Sequence, residues 1–168
     1  YKNMKLSVTV ITYNQENFIE KTLDSILSQK VNFPFEVVIG DDASKDKTPE
    51  IIRKYQEKYP EIIKPIFRTK NLGHTGNYIE TTRMATGEYI AHLDGDDLML
   101  PTKLQKQVDF LDGHPECSMV HHLVYLIDKE GFVTGKTKAR KGTVGTINNI
   151  IKRNHIVNSS NMFRRSSL

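Results

Sequence analysis

Three carboxylates crowd four consecutive residues at Asp94-Gly95-Asp96-Asp97. At neutral pH such neighbours repel one another unless a cation or solvent relieves them. Magnesium and manganese take hard oxygen ligands, commonly one or two carboxylates together with substrate phosphates. Gly95 lets the backbone turn and lets a diphosphate approach closely. The pattern therefore fits a site for a metal-bound diphosphate. The alternative is an acidic turn in which Asp97 caps a following helix. A second acidic pair, Asp41-Asp42, could accept a hydrogen bond from the imide N–H of a pyrimidine base. It could equally be a turn leading into a helix, because Asp, Ser44 and Thr48 all favour such positions. Tyr13, beside Thr12 and Asn14, offers a ring on which a base could stack, or one that closes a sheet edge.

These residues have to be positioned by the elements that precede them. Leu6 to Thr12 is β-branched and almost wholly apolar, as in a strand covered on both faces of a parallel sheet. From Glu16 to Gln29 the apolar residues fall on one helical stripe, with Asn14 as a candidate cap. Phe35 to Ile39 is a second strand. Thr48-Pro49 opens a second helix, which Pro60 ends. Ile62 to Phe67 is a third strand, in which Pro65 argues for an edge or a bend. Asn71 to Asn77 is a turn-rich loop before a helix from Tyr78 to Ala85, closed by Gly87. Glu88 to Leu93 is a fourth strand, running directly into the acidic cluster. Pro101 starts a helix to Leu111, and Ser118 to Ile127 reads as a fifth strand. Phe132 to Thr134 returns as a hairpin, Thr146 to Arg153 as a short helix, and Ser160 to Phe163 as a short strand.

Alternation of strands and helices predicts a single α/β domain, with a mixed, mainly parallel sheet flanked by helices. In open sheets of this kind ligands bind beyond the carboxyl ends of the strands. Thr12-Tyr13-Asn14, Asp41-Asp42 and the acidic cluster all follow strands, so one rim should gather them.

No apolar run reaches the roughly 18 residues of a membrane span. The single cysteine, Cys117, excludes an internal disulfide and points to a reducing, cytoplasmic compartment. The net charge of +4 comes with a thickening of cations toward the C-terminus, from Lys136 to Arg165. These cations suit a solvated face, or contact with anionic lipid at the inner face of a membrane. No nucleic-acid motif accompanies them.

In order, the chain shows V-T-V-I-T-Y-N at a strand end, G-D-D-A-S-K-D in a loop, N-L-G, and G-E-Y-I-A-H-L-D-G-D-D. This series, from Leu6 to Leu111, resembles the family 2 glycosyltransferases of GT-A (Rossmann-like) fold. A fainter likeness continues to Phe163-Arg164-Arg165, similar to the M-F-R strand of that family. The resemblance implies a nucleotide-diphosphate sugar donor, UDP- or dTDP-type, and a saccharide or lipid-linked acceptor in polysaccharide or glycoconjugate synthesis. It implies donor contacts at Thr12, Tyr13, Asn14, Asp41, Asp42, Asp94 and Gly95. Asp96 and Asp94 would hold Mn2+ or Mg2+, with Asp96 the direct ligand. Residues 5–112 would form the donor-binding part, and residues 113–168 the start of the acceptor region.

Two departures from the family pattern stand out. Where relatives carry a basic residue after N-x-G, this chain reads His74-Thr75-Gly76-Asn77, and Arg83 on the next helix is the candidate substitute. No Asp or Glu follows Glu130, so the family's catalytic base is expected beyond Leu168. His155 is a stand-in for that base or, more simply, a surface or acceptor-lining histidine, and His121-His122 a structural pair on a strand. The competing function is a nucleotide-sugar-binding module without catalysis. A phosphoacceptor domain would need its acidic pair after the first strand. A dinucleotide oxidoreductase would need G-x-G-x-x-G there, which is absent.

Overall fold

The computed structural model describes residues 4–137 and 157–168. Its elements in chain order are β1 (Leu6–Thr12), α1 (Ile19–Leu27), β2 (Phe35–Asp41), α2 (Thr48–Lys58), β3 (Ile63–Phe67), α3 (Gly73–Arg83), β4 (Tyr89–Asp94), α4 (Lys103–Gly113), β5 (Met119–Val120), β6 (Tyr125–Ile127), β7 (Val133–Lys136) and β8 (Met162–Arg164). Six strands form one sheet in the order β3-β2-β1-β4-β8-β5. β1 to β4 run parallel, while β8 lies antiparallel between β4 and β5. This is the expected mixed, mainly parallel α/β sheet.

The apolar runs explain the order. All seven residues of β1 are buried, because β2 and β4 flank it and helices cover its faces. Leu6, Val8 and Val10 meet Val37, Ile39, Ala91 and Leu93 in the core. α1 adds Ile19, Leu23 and Ile26, each fully buried and each worth about 1.5–3 kcal/mol by area. Pro65 sits in β3, which is paired on one side only, so the missing N–H faces no neighbouring strand.

Register sets the functional rim. Thr12 lies opposite Asp41, and Ile11 lies opposite Asp94. The carboxyl ends of β1, β2 and β4 are therefore level.

Several local expectations are corrected. Asn14 does not cap α1, which starts at Ile19 without a side-chain cap. Asn14 instead adopts φ 51°, and its Oδ1 accepts from the Lys45 N–H at 2.8 Å. α3 begins at Gly73, ahead of Tyr78, because Asp42 from another loop accepts its first N–H groups. Gly87 is not the cap of α3, whose C-cap is Met84. A Cβ at Gly87 would lie 2.5 Å from the Ser7 nitrogen and 2.6 Å from the Leu6 carbonyl carbon, so this glycine permits close packing on β1.

The run Ser118 to Ile127 is not one strand. β5 pairs with β8 over two residues, then the chain leaves the sheet. β6 and β7 form a separate hairpin, closed where Asp128 Oδ1 accepts from the Phe132 N–H. His121 and His122 fall in the link between the two sheets, not on a strand. Arg164 donates to the carbonyls of Cys117, Leu111 and His114, and Arg165 to that of Gly87, so these two cations are occupied in joining chain segments. Lys138, Arg140, Lys141, the helix expected from Thr146 to Arg153, and His155 lie outside the described residues. Among the described residues no helix is long and apolar enough to cross a membrane.

Candidate functional site

A cleft of about 440 Å³ opens at the level strand ends, within the usual range for small-ligand sites. Thr12, Tyr13 and Gln15 line it after β1, Asp42 after β2, and Asp94 and Asp96 at the end of β4. Asn71, Gly73, His74 and Asn77 line it from the start of α3. The three sequence-distant segments thus meet in one place.

Tyr13 is 48% exposed, so it is an open ring at the cleft wall and not a plug at the sheet edge. Thr12 is buried, and its hydroxyl donates to Gln15 Oε1 at 2.7 Å. Asp42 does structural work as well. Its two carboxylate oxygens accept the N–H groups of Leu72 and Gly73 at 2.8 and 2.9 Å, which anchors the loop before α3. Each oxygen keeps a further lone pair for a ligand donor.

Asp94 carries two imidazole neighbours. His92 is fully buried in β4, with Nε2 3.1 Å from Asp94 Oδ1 and Nδ1 3.2 Å from Thr9 Oγ1. Because an ionised Asp94 can only accept, the His92 Nε2–H donates to it, and Nδ1 pairs with the Thr9 hydroxyl. The edge of the Tyr78–His92 ring pair, with centroids 4.7 Å apart, fixes the imidazole further. His74 Nε2 lies 3.7 Å from the same carboxylate oxygen. Burial opposes the Asp94 charge, but the His92 hydrogen bond and the two imidazoles outweigh it and hold its carboxyl below the ordinary carboxylate range. Asp96 is exposed in the cleft and makes no hydrogen bond or ion pair among the described residues.

Four expected site residues do not line the cleft. Asp41 is 2% exposed, and its Oδ2 accepts the Ser44 N–H at 3.3 Å, while burial pushes its carboxyl upward. Asn14 ties the 41–46 loop to β1 through Ser44 and Lys45. Gly95 is buried; a Cβ there would come within 2.9 Å of Thr12 Cβ and collide with Gln15 Oε1. That crowding by the end of β1 accounts for the glycine without a diphosphate. Arg83 ends α3 in an ion pair with Glu80, at the opposite end of the helix from the cleft, so it does not replace a phosphate-contacting arginine.

Asp97 turns out of the cleft. It accepts a hydrogen bond from the Ser159 hydroxyl, and caps no helix. Burial and the neighbouring charges of Asp94 and Asp96 push its carboxyl up. Among the described residues no three His, Cys, Asp or Glu side chains gather into a metal cage. Asp94 and Asp96 are hard oxygen donors on one wall of an open cleft, a set that suits a cation shared with phosphates.

Lys103 was not foreseen. It is 8% exposed, and burial pushes its ammonium down to about 8 against the supporting charge of Asp97. Between about 8 and the ordinary lysine value of 10.5 the folded protein sheds this proton while the unfolded chain keeps it. Its burial penalty is full below that window and relieved as pH rises through it. The melting temperature of wild type relative to Lys103→Met should therefore move in favour of wild type from pH 8 to pH 10. A flat difference across that range contradicts the assignment.

A second cavity, about 550 Å³, lies at the amino ends of the strands beside Met4, Thr86 and Arg165. Its arginines are the ones spent on backbone carbonyls.

Comparison with known proteins decides the family. The sequence model of Glycosyl transferase family 2 matches residues 7–168. The chain belongs to this family. An uncharacterised protein of Mycobacterium tuberculosis is 44% identical over 127 residues, covering 75% of this chain and 37% of that one. An uncharacterised glycosyltransferase of Methanocaldococcus jannaschii is 31% identical over 165 residues, covering 97% of this chain and 56% of its own length. The chain thus spans about a third to a half of these curated relatives. Crystal structures of residues 1–349 of S. aureus TarS match with TM-score 0.69 and 29% identity, over 96% of this chain and 47% of that one. TarS has been crystallised with UDP and with UDP-GlcNAc. The GT-A fold is shared.

Proposed function

We propose that this chain is the donor-binding part of an inverting glycosyltransferase that uses a UDP- or dTDP-sugar. The observation that carries the proposal is the single cleft joining an exposed aromatic ring, Tyr13, to two carboxylates, Asp94 and Asp96. The family and the nucleotide complexes of TarS support it.

In this reading the base stacks on Tyr13, and an Asp42 oxygen accepts its imide N–H. Thr12 and Gln15 hold the cleft floor. Asp94, with Oδ1 turned to His92, offers its other oxygen to the ribose, the sugar or a cation. Asp96 projects into the space where a diphosphate would lie. Manganese or magnesium held by Asp96 and Asp94 would neutralise the departing diphosphate. His74, exposed on the same wall with Nε2 3.7 Å from Asp94 Oδ1, offers a ring nitrogen along that path.

An acceptor hydroxyl attacking opposite the diphosphate would invert the anomeric centre. The acceptor is a saccharide or a lipid-linked sugar, met at the cytoplasmic side with peripheral membrane contact. No carboxylate of the cleft is assigned as the base, because each already has a donor-side role.

A thermal-shift panel of nucleoside diphosphates, with and without manganese, tests the reading. UDP or dTDP with manganese should raise the melting temperature, by the equivalent of about 2.7 kcal/mol at a hundredfold excess over Kd. No response to any nucleoside diphosphate would overturn it. Tyr13→Ala should weaken nucleotide binding by about 1 kcal/mol or more, roughly fivefold, with the unliganded melting temperature unchanged. Equal loss of unliganded stability would make Tyr13 a core residue instead.

A further inference from the structure

His92 is fully buried in β4, between Ala91 and Leu93 of the apolar core. An imidazole in such a place costs free energy unless its ring nitrogens are bonded. Both are. Register sets Thr9 of β1 directly opposite His92, and the Thr9 hydroxyl meets Nδ1 at 3.2 Å. Nε2 meets Asp94 Oδ1 at 3.1 Å, two residues on and on the same face of the strand. Tyr78 closes on the ring edge to face from α3, which packs over β1 and β2. Thr9 is fully buried as well. A polar chain thus starts in the middle of the sheet and ends on one carboxylate of the cleft.

Stability alone does not account for a histidine and a threonine here. Two buried polar partners can be exchanged for apolar groups of similar shape at little cost. What the pair supplies is direction. A carboxylate at a strand end can turn about its side-chain bonds, and a hydrogen bond to one oxygen fixes which oxygen is left for a ligand. Both imidazole contacts of Asp94 fall on Oδ1, which leaves Oδ2 for the donor. We infer that His92, seated by Thr9 and Tyr78, is a positioning residue: it holds Asp94 in one orientation before the donor arrives, so that nucleotide and cation meet a carboxylate already aimed. This inference rests on the proposed donor site.

Substitutions at residue 92 that keep or remove single polar atoms test it in the whole chain. Calorimetric affinity for UDP with manganese is read beside unliganded melting. The amide nitrogen in His92→Gln stands as far along the side chain as Nε2, so the donor to Asp94 is kept. In His92→Asn it stands at the depth of Nδ1, so only the Thr9 contact is kept. His92→Gln should bind within about threefold of wild type, and His92→Asn should lose about tenfold or more. His92→Leu combined with Thr9→Val removes both polar partners. That double variant should melt close to wild type and yet bind as weakly as His92→Asn. A merely structural role predicts affinity that follows melting temperature, with the two amide variants alike. Equal affinities in His92→Gln and His92→Asn, or wild-type affinity in the double variant, would overturn the inference. Should the double variant not fold, the comparison of His92→Gln with His92→Asn decides alone. A wild type that binds none of UDP, GDP or dTDP with manganese overturns the donor site and this role with it; a binding wild type beside unaffected variants overturns the role alone.

Discussion

Asp96→Ala should remove manganese-dependent nucleotide binding, with a loss of roughly a hundredfold or more in affinity, about 3 kcal/mol. The unliganded fold should be unaffected. Asp96 is exposed and makes no hydrogen bond or ion pair among the described residues, so its removal strands no partner. Asp94→Ala should behave differently. It deprives His92 of an acceptor in a fully buried position, so binding and stability should fall together. Calorimetry with manganese, beside unliganded melting curves, separates the two variants. Unchanged affinity in Asp96→Ala would remove it from the site.

Gly87→Val should give the largest loss of stability. A Cβ at residue 87 meets the Ser7 nitrogen and Leu6 carbonyl carbon, backbone atoms of the central strand, and both flanking strands lock that backbone in place. No flexible side chain can yield there, as one could at Gly40, where the nearest atoms belong to Thr81 and Asn77. Overpacking of this kind costs about 3 kcal/mol or more, a fall of roughly 6 °C or more in melting temperature for a chain of this size. A melting temperature within about 2 °C of wild type would show that β1 can shift. The same shift would carry Thr12 and Tyr13 at its far end, so nucleotide affinity in that variant reports whether the rim moves with the strand.

The strands that build the rim were legible because each is a buried apolar run followed at once by polar residues. Leu6 to Thr12 shows this, and so does the fourth strand running into Asp94. Pro65 left an edge or a bend open for β3, and β3 is the edge strand. Periodicity reports how one element is buried, and it carries no information on which distant group satisfies a loop. That is why the early start of α3 was missed: its first N–H groups are held by Asp42, thirty or so positions back in the chain. It is also why Asn14 looked like a cap, when its partner is the Lys45 N–H. The resemblance sets Asp94 and Asp96 apart from Asp97, whose residue type also suits a helix cap. Their division, with Asp97 turned to Ser159, depends on a contact 62 positions away. His92 sat unnoticed in an apolar strand, although a histidine two residues before Asp94 in a parallel strand shares its face. The run from Ser118 to Ile127 misled for a further reason. An apolar stretch does not reveal that it divides between two sheets.

The central claim is that one cleft at the ends of β1, β2 and β4 grips a nucleotide and a cation-bound diphosphate. Hydrogen exchange of the whole chain, with and without UDP plus manganese, addresses it most directly. Joint protection of residues 11–15, 41–44, 71–77 and 94–97 is the result expected. Protection of one of these segments alone, or of the opposite strand ends around Met4, Thr86 and Arg165, would contradict it.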